Sequence, residues 1–327
     1  MSAPDIPTTL GSMLLGGFFA SLLTGVVDLH TMRYYQTYKS DPAGVKALVA
    51  SVTALDVMHT ALIWAANWEY LIGNWGRTDK VDYVPWTISL TVIITAMVTF
   101  LVHCFFAHRI FLLGKRNWYM ATPVVLLALL RLVSAAVSTY ELLHYKSFAL
   151  FVENADWIFT MGLSVSSAVD VVITGLLFWL FRYNRPESGH LTHVLDKLTL
   201  YAFETGGLTC LAVVVSLICW LTMPDNLVFL GLHFAIGKLY AISLLVTLTT
   251  REAIRRGRST TSGERGGGGG GVLFLETRGN KDSPSSPYFS ESRTPNKTEV
   301  QIAVEHSVKY DLEGRSSLDS DLLAAKK

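Results

Sequence analysis

Seven long apolar stretches alternate with short polar connections along most of the chain: Leu10–Tyr34, Lys46–Ile72, Trp86–Phe111, Trp118–Tyr140, Ala155–Phe181, Leu198–Met223 and Leu227–Thr249. A helix crossing the hydrocarbon of a bilayer needs roughly 20 mostly apolar residues, and each stretch is long enough. In lipid every peptide group must be satisfied within its own segment, so the stretches are expected to be helices. The pattern predicts an all-α fold, a polytopic bundle of seven transmembrane helices. Its expected organisation is a short extracellular N-terminus over 1–9, a helix bundle over 10–256 and a disordered cytoplasmic tail over 257–327.

Charge placement orients the bundle. Only 16% of residues are charged, against roughly 25% in an ordinary soluble domain. The loops after the odd-numbered stretches, with the start of the tail, hold Arg33, Lys39, Lys46, Arg109, Lys115, Arg116, Arg182, Arg185, Lys197, Arg251, Arg255 and Arg256. The opposite loops hold only Arg77, Lys80 and Lys146, and the first segment has no basic residue. By the positive-inside rule the N-terminus is expected outside and the C-terminus in the cytoplasm. The first apolar run lacks a basic n-region and is too long for a signal-peptide core, so it is expected to be an uncleaved anchor. Cys104, Cys210 and Cys219 all fall within spans, which excludes a disulfide in the outer loops and leaves packing as their role. Asn296 with Thr298 forms an N-glycosylation pattern on the expected cytoplasmic side, where it stays unmodified.

Beyond Arg256 the composition changes. From Arg258 onward there are ten basic and ten acidic residues, a Ser/Pro-rich stretch and the glycine run Gly266–Gly271. Too few apolar residues remain to offset chain entropy, so this segment is expected to be disordered, with the glycines as a spacer. Ser283, Ser286, Thr294 and Ser316 are candidate phosphate acceptors in such a tail, the alternative being an unmodified solvated segment. Asp319-Ser-Asp-Leu-Leu323 has the shape of an acidic dileucine sorting signal.

Helix boundaries carry their own signals. Asp41-Pro42 marks a turn after the first span, since proline disfavours helical geometry in the residue before it. Pro85 and Pro123 lie at or near helix starts, where a missing N–H is harmless. Met223-Pro-Asp-Asn226 is a tight connection that makes the last two helices antiparallel neighbours. Tyr34, Tyr35, Trp68, Trp75, Trp86, Trp118, Tyr140, Trp157 and Trp179 sit near span ends, as interfacial aromatics do. Gly16, Ala20 and Gly25 in the first helix, with Gly206 and Gly207 in the sixth, permit close helix approach.

Ionisable groups at membrane depth are costly, at least roughly 2.5–3.5 kcal/mol on insertion scales, and mark the residues to weigh. Asp56, Arg131, Asp170 and Lys238 lie deep in their spans. In a closed ring the seventh helix returns beside the second, and the fourth and fifth are neighbours. The expected pairs are Asp56 with Lys238 and Asp170 with Arg131, each either in direct contact or bridged by water. These pairs either hold the bundle in register or line a polar site for a ligand, an ion or a proton relay. His59 lies three residues from Asp56 on the same helix face, a pairing able to shuttle a proton or contribute to a metal site. Two ligands do not complete a zinc site, so neither a metal nor another cofactor is expected. Asp28, His30 and Glu204 lie nearer the inner ends, within reach of water. Arg109, Arg182 and Arg251 fit helix C-termini by snorkelling and by the helix dipole. A lysine midway along a seventh helix is also where retinal proteins form a Schiff base. Here Phe234 stands one turn earlier rather than an acid, and the third helix has no carboxylate counter-ion.

From Gly11 to about Arg256 the chain resembles an uncharacterised seven-transmembrane domain-of-unknown-function family of mushroom-forming (basidiomycete) fungi. The resemblance rests on Tyr34-Tyr35 and Tyr38 before Asp41 and Lys46, on Leu55-Asp56 and His59, and on Phe105-Phe106-Ala107 with Arg109. It continues through Asp170 with Thr174, Thr205-Gly206 with Leu208-Thr209, and Lys238-Leu-Tyr240 with Leu244-Leu245. Glu204 and the run Leu248-Thr-Thr-Arg251 depart from the family pattern. The resemblance implies an integral membrane protein and adds weight to Asp56, His59, Asp170 and Lys238.

The function expected first is a receptor-like sensor, of the topology of G-protein-coupled receptors, with a polar intramembrane site at Asp56, His59, Arg131, Asp170 and Lys238. Alternatives are a non-catalytic membrane scaffold acting through its tail and a small-molecule or ion transporter. No nucleophile–base or metal set assembles, so an enzyme is not expected. The expected partners are the lipid bilayer, a small-molecule ligand and a cytoplasmic partner of the tail, without nucleic acid. The plasma membrane is favoured over an endomembrane.

Overall fold

A computed structural model of the chain describes residues 7–77, 80–183, 189–223 and 226–261, with side chains described outside 7–8, 189–205 and 251–261. The chain divides into two units, Met1–Gly267 and Gly268–Lys327, and the described residues all lie in the first. They form helices α1 (Ser12–Thr37), α2 (Ala43–Trp68), α3 (Trp86–Leu113), α4 (Trp118–Tyr145), α5 (Phe148–Tyr183), α6 (Gly189–Thr222) and α7 (Val228–Thr261). Short π-helical turns, Pro7–Gly11 and Glu69–Gly73, precede α1 and extend α2. No strand occurs among the described residues, only one antiparallel bridge between Tyr83 and Ser147.

Six stretches are long and apolar enough to cross a membrane: Thr9–Thr37, Ala43–Gly73, Trp86–Leu113, Trp118–Tyr145, Phe148–Tyr183 and Val228–Thr250. Within α6 the described apolar stretch, Gly206–Thr222, is shorter. Side chains that would be a liability in water cover the outside of the bundle. On α1 alone Leu15, Phe18, Phe19, Leu22 and Leu29 are all more than half exposed. Such a surface is stable against acyl chains and aggregation-prone against water. The chain is a multi-pass membrane protein.

Each helix packs on the next in chain order, and α7 closes the ring against α1. Contacts of α3 with α5 and α7, and of α7 with α2, cross the interior. Consequently α3 and α7 are the central helices. Their apolar windows are 61% and 78% buried, against 39% or less in the other four spans. Glycine permits the closest of these approaches. A Cβ on Gly16 would fall 2.4 Å from Gly231 Cα, and one on Gly231 would fall 2.5 Å from the Ser12 carbonyl, so α1 and α7 touch backbone to backbone. Gly206 likewise accommodates the Thr174 hydroxyl of α5. Gly25 and Gly207 face open space instead, so they do not serve the close approach their composition suggests.

Both ends of the bundle are tied by specific bonds. At the α1–α2 connection the Tyr34 hydroxyl donates to Asp41 Oδ2 at 3.0 Å and the Tyr35 hydroxyl to the Lys46 carbonyl at 2.8 Å. Tyr38 reaches across to the Thr249 carbonyl of α7 at 3.0 Å. Tyr34 is therefore fully buried and not a lipid-interface anchor, whereas Trp68, Trp75, Trp86, Trp118, Tyr140 and Trp157 are exposed as such anchors are. At the other end Asp82 holds the start of α5. Its Oδ1 accepts from the Ala149 N–H at 2.9 Å, its Oδ2 from the Ser147 hydroxyl, and its carbonyl from the Phe148 N–H at 3.0 Å. The residue thus caps a helix from a different loop, satisfying donors that a helix N-terminus leaves free.

Candidate functional site: a polar core latched on helix α7

Lys238 and Tyr240 are two residues apart on α7. At 3.6 residues per turn their side chains leave the helix on opposite sides. Each side meets a buried aspartate.

Toward α2, Lys238 Nζ lies 3.0 Å from Asp56 Oδ1, with the lysine fully buried and the aspartate 2% exposed. The ammonium also donates to the Asp56 carbonyl at 2.7 Å and to Thr60 Oγ1 at 2.6 Å, which uses all three of its donors. Thr60 is joined in turn to Thr24 of α1 at 2.8 Å. The Asp56–Lys238 pair expected from the sequence is present, and it ties α1, α2 and α7 together.

Toward α5, the Tyr240 hydroxyl donates to Asp170 Oδ2 at 2.6 Å, while Asp170 Oδ1 lies 3.2 Å from His103 Nε2 of α3. Ser166 adds a 3.2 Å contact to the Tyr240 hydroxyl, and the His103 and Tyr240 rings meet edge to face at 5.3 Å. Beside this cluster a cavity of about 20 Å³, room for one water, is lined by polar groups including Thr174, Thr209 and Ser243.

Arg131 makes no close ion pair with Asp170 among the described residues. It is buried on α4, next to Gly162 and Ser134 of the α4–α5 contact. Asp170 and Tyr240 lie within Coulombic range of its guanidinium, and so does His233. Among the described residues it forms no hydrogen bond or close ion pair. The expected pair is therefore not in direct contact, and its charges act on each other only at longer range. His103 on the central helix reaches the carboxylate first.

The two clusters are joined by a feature that charge counting overlooks. Thr87, Thr91, Thr95, Thr99 and His103 recur every four residues along α3, and all are buried. Residues so spaced form a continuous ridge. Thr91 and Thr99 donate to their own helix backbone at 2.7 and 2.8 Å, which lets hydroxyls sit in an apolar interior. Thr95 meets His59 Nε2 at 3.1 Å, and the absence of a side chain at Gly237 lets α7 lie against it. His59 thus joins the core through α3 rather than by contacting Asp56.

The remaining sequence-derived residues are peripheral or undescribed. Asp28 is exposed and His30 half-buried, consistent with access to water. Arg109 stacks over the Phe181 ring at 5.2 Å. Ser283, Ser286, Thr294 and Ser316 lie outside the described residues, as does the side chain of Glu204. Among the described residues no three His, Cys, Asp or Glu side chains converge as metal ligands would. The sequence did not place His103, Tyr240, Thr60 or the threonine ridge among the site residues, although Tyr240 stands in the Lys238-Leu-Tyr240 pattern. Their signal was the four-residue period of hydroxyls ending in histidine within an otherwise apolar helix.

Comparison with known proteins adds one match. No curated protein and no solved structure matches the chain. The profile of a family of unknown function, DUF6534, matches residues 166–253. That stretch contains Ser166, Asp170, Lys238 and Tyr240, so over the α5 and α7 members of the polar core the chain is similar to this family.

Proposed function

We propose that the chain is a receptor-like membrane sensor whose moving part is α7. In this reading seven helices span the bilayer, α6 included, with the N-terminus outside and the tail in the cytoplasm of a plasma-membrane protein. The protein performs no catalysis. The tail recruits a cytoplasmic partner.

The observation that carries the proposal is the double latch. One central helix is bound by Lys238 to α2 and by Tyr240 to α5, so a rotation of α7 releases or reforms both contacts together. Packed interfaces of this kind switch between discrete arrangements rather than deform smoothly. A static scaffold is the second reading. Favouring the sensor, His103 Nδ1, Arg131 Nε and His233 Nε2 are buried without a protein hydrogen bond in this arrangement. A half-satisfied network is a poor rigid core. It is a natural place for a ligand, for water or for a second conformation.

The test is cysteine accessibility at the far end of α7. Thr250, partly buried and bonded to the Val246 carbonyl at 2.7 Å, is replaced by cysteine in a chain without Cys104, Cys210 and Cys219. Lys238→Met and Tyr240→Phe should each speed maleimide labelling several-fold in folded protein. Labelling at the parent rate in both variants would favour the scaffold.

A further inference from the structure

Helices α1 and α2 meet along a polar seam that the α7 latch touches only at Asp56 and Thr60. Thr24 of α1 faces Thr60 of α2 at 2.8 Å, and two turns on Thr31 faces Thr53 at 2.8 Å. A Cβ on Gly17 would lie 3.1 Å from Asn67 Nδ2, in the same antiparallel register. Positions 17, 24, 28 and 31 share one side of α1, as 53, 56, 60 and 67 share one side of α2. The register therefore sets Asp28 opposite Asp56, between the two threonine rungs, and the two acids lie within Coulombic range of each other.

Charge at this seam does not balance. Two carboxylates face one ammonium, since Lys238 is within range of Asp28 as well as paired with Asp56. One negative charge is left over inside a membrane-crossing stretch, where unbalanced charge is costly. Among the described residues the neighbours do not supply the missing positive charge. Arg33 makes no close ion pair with Asp28, His59 is engaged with Thr95 at 3.1 Å, and His30 faces Thr249 at 3.5 Å.

The unused atoms at the seam are acceptors. Asp56 turns Oδ1 to Lys238, while its buried Oδ2 has no hydrogen bond. Thr24 adjoins that carboxylate, and its hydroxyl donates to the Ala20 carbonyl at 3.1 Å. Thr60 donates likewise to the Asp56 carbonyl at 3.1 Å. What remains is oxygen lone pairs on carboxylates and hydroxyls, the donor set of a hard cation. Two carboxylates, one already holding a lysine, fall short of a calcium cage of roughly six to eight oxygens. A single positive charge, by contrast, balances the cluster.

We propose that the α1–α2 seam binds one monovalent metal cation, held by Asp28 and by Asp56 Oδ2 with Thr24 beside it, while Asp56 Oδ1 keeps Lys238. Asp28 is exposed, which gives the ion its way in. This site goes beyond the sensor reading and does not depend on it.

The experiment uses the full chain in phosphatidylcholine nanodiscs, with radioactive sodium retention and the thermal midpoint both followed in sodium chloride against N-methylglucamine chloride at constant ionic strength. Saturable retention of one sodium per chain is expected, with a midpoint that rises in sodium alone. Asp28→Asn, at an exposed position outside the latch, should weaken sodium binding by about tenfold or more, and Asp28→Glu should restore most of it. No saturable retention, or unchanged affinity in Asp28→Asn, would overturn the proposal. A midpoint indifferent to sodium that rises as pH falls would assign the missing charge to a proton and overturn it too. Neither readout involves movement of α7, so failure here leaves the sensor reading standing, and the reverse also holds.

Discussion

Lys238 illustrates how a charge persists in a membrane interior. Its ammonium has one carboxylate, one carbonyl and one hydroxyl within 3.0 Å, which matches its three protons. Removing one member of a buried pair leaves the other uncompensated and costs about 3–5 kcal/mol. Asp56→Asn keeps the Asp56 carbonyl and Thr60 for the lysine, so its cost should fall at the low end. Lys238→Met strands the carboxylate and should fall at the high end. The double variant should then be more stable than the sum of the two losses predicts, with a coupling of about 1–3 kcal/mol in detergent unfolding. Strict additivity would mean that the two groups do not meet. These two residues were legible from sequence because only a handful of charges lie deep in the spans, and chain order in a ring brings α7 back to α2. The partner of Asp170 was not legible. Choosing between His103 and Arg131 depends on rotation about each helix axis, which depth alone does not contain.

Among the elements, α3 and α7 differ from the rest in being enclosed, and hydropathy gives little hint of this because lipid and core demand the same apolar surface. The useful signal is polar periodicity: threonines every four residues on α3, lysine and tyrosine two apart on α7. Glycine composition proved legible only in part. Gly16 and Gly25 look equivalent in the sequence of α1, yet one touches the backbone of α7 and the other faces open space. Gly16→Ala should therefore destabilise the bundle by about 1–3 kcal/mol, as overpacking does. Gly25→Ala should be neutral or slightly stabilising by helix propensity. Equal thermal shifts for the two would place the α1–α7 contact elsewhere. The run Tyr34-Tyr35, Tyr38, Asp41 and Lys46, noted as a sequence pattern, has a plain physical content: its hydroxyls bind the α1–α2 turn and fasten it to α7.

For the whole molecule, the helical class and membrane setting follow from runs of apolar residues, and the structure adds the closed ring in which α3 and α7 are the most buried of the six long spans. The α7 latch has its proposed meaning only if that ring lies in a bilayer, crossed an odd number of times by the chain. Basic residues gathered on alternate connections make the same demand. The most direct measurement labels single cysteines, introduced at Ser2 and at Ser290 in a cysteine-free chain, with a membrane-impermeant maleimide in sealed right-side-out vesicles. The account requires Ser2→Cys to react at once and Ser290→Cys only after the vesicles are opened. Reaction of both from the same side would mean an even number of crossings, and would contradict the seven-span bundle on which the polar core depends.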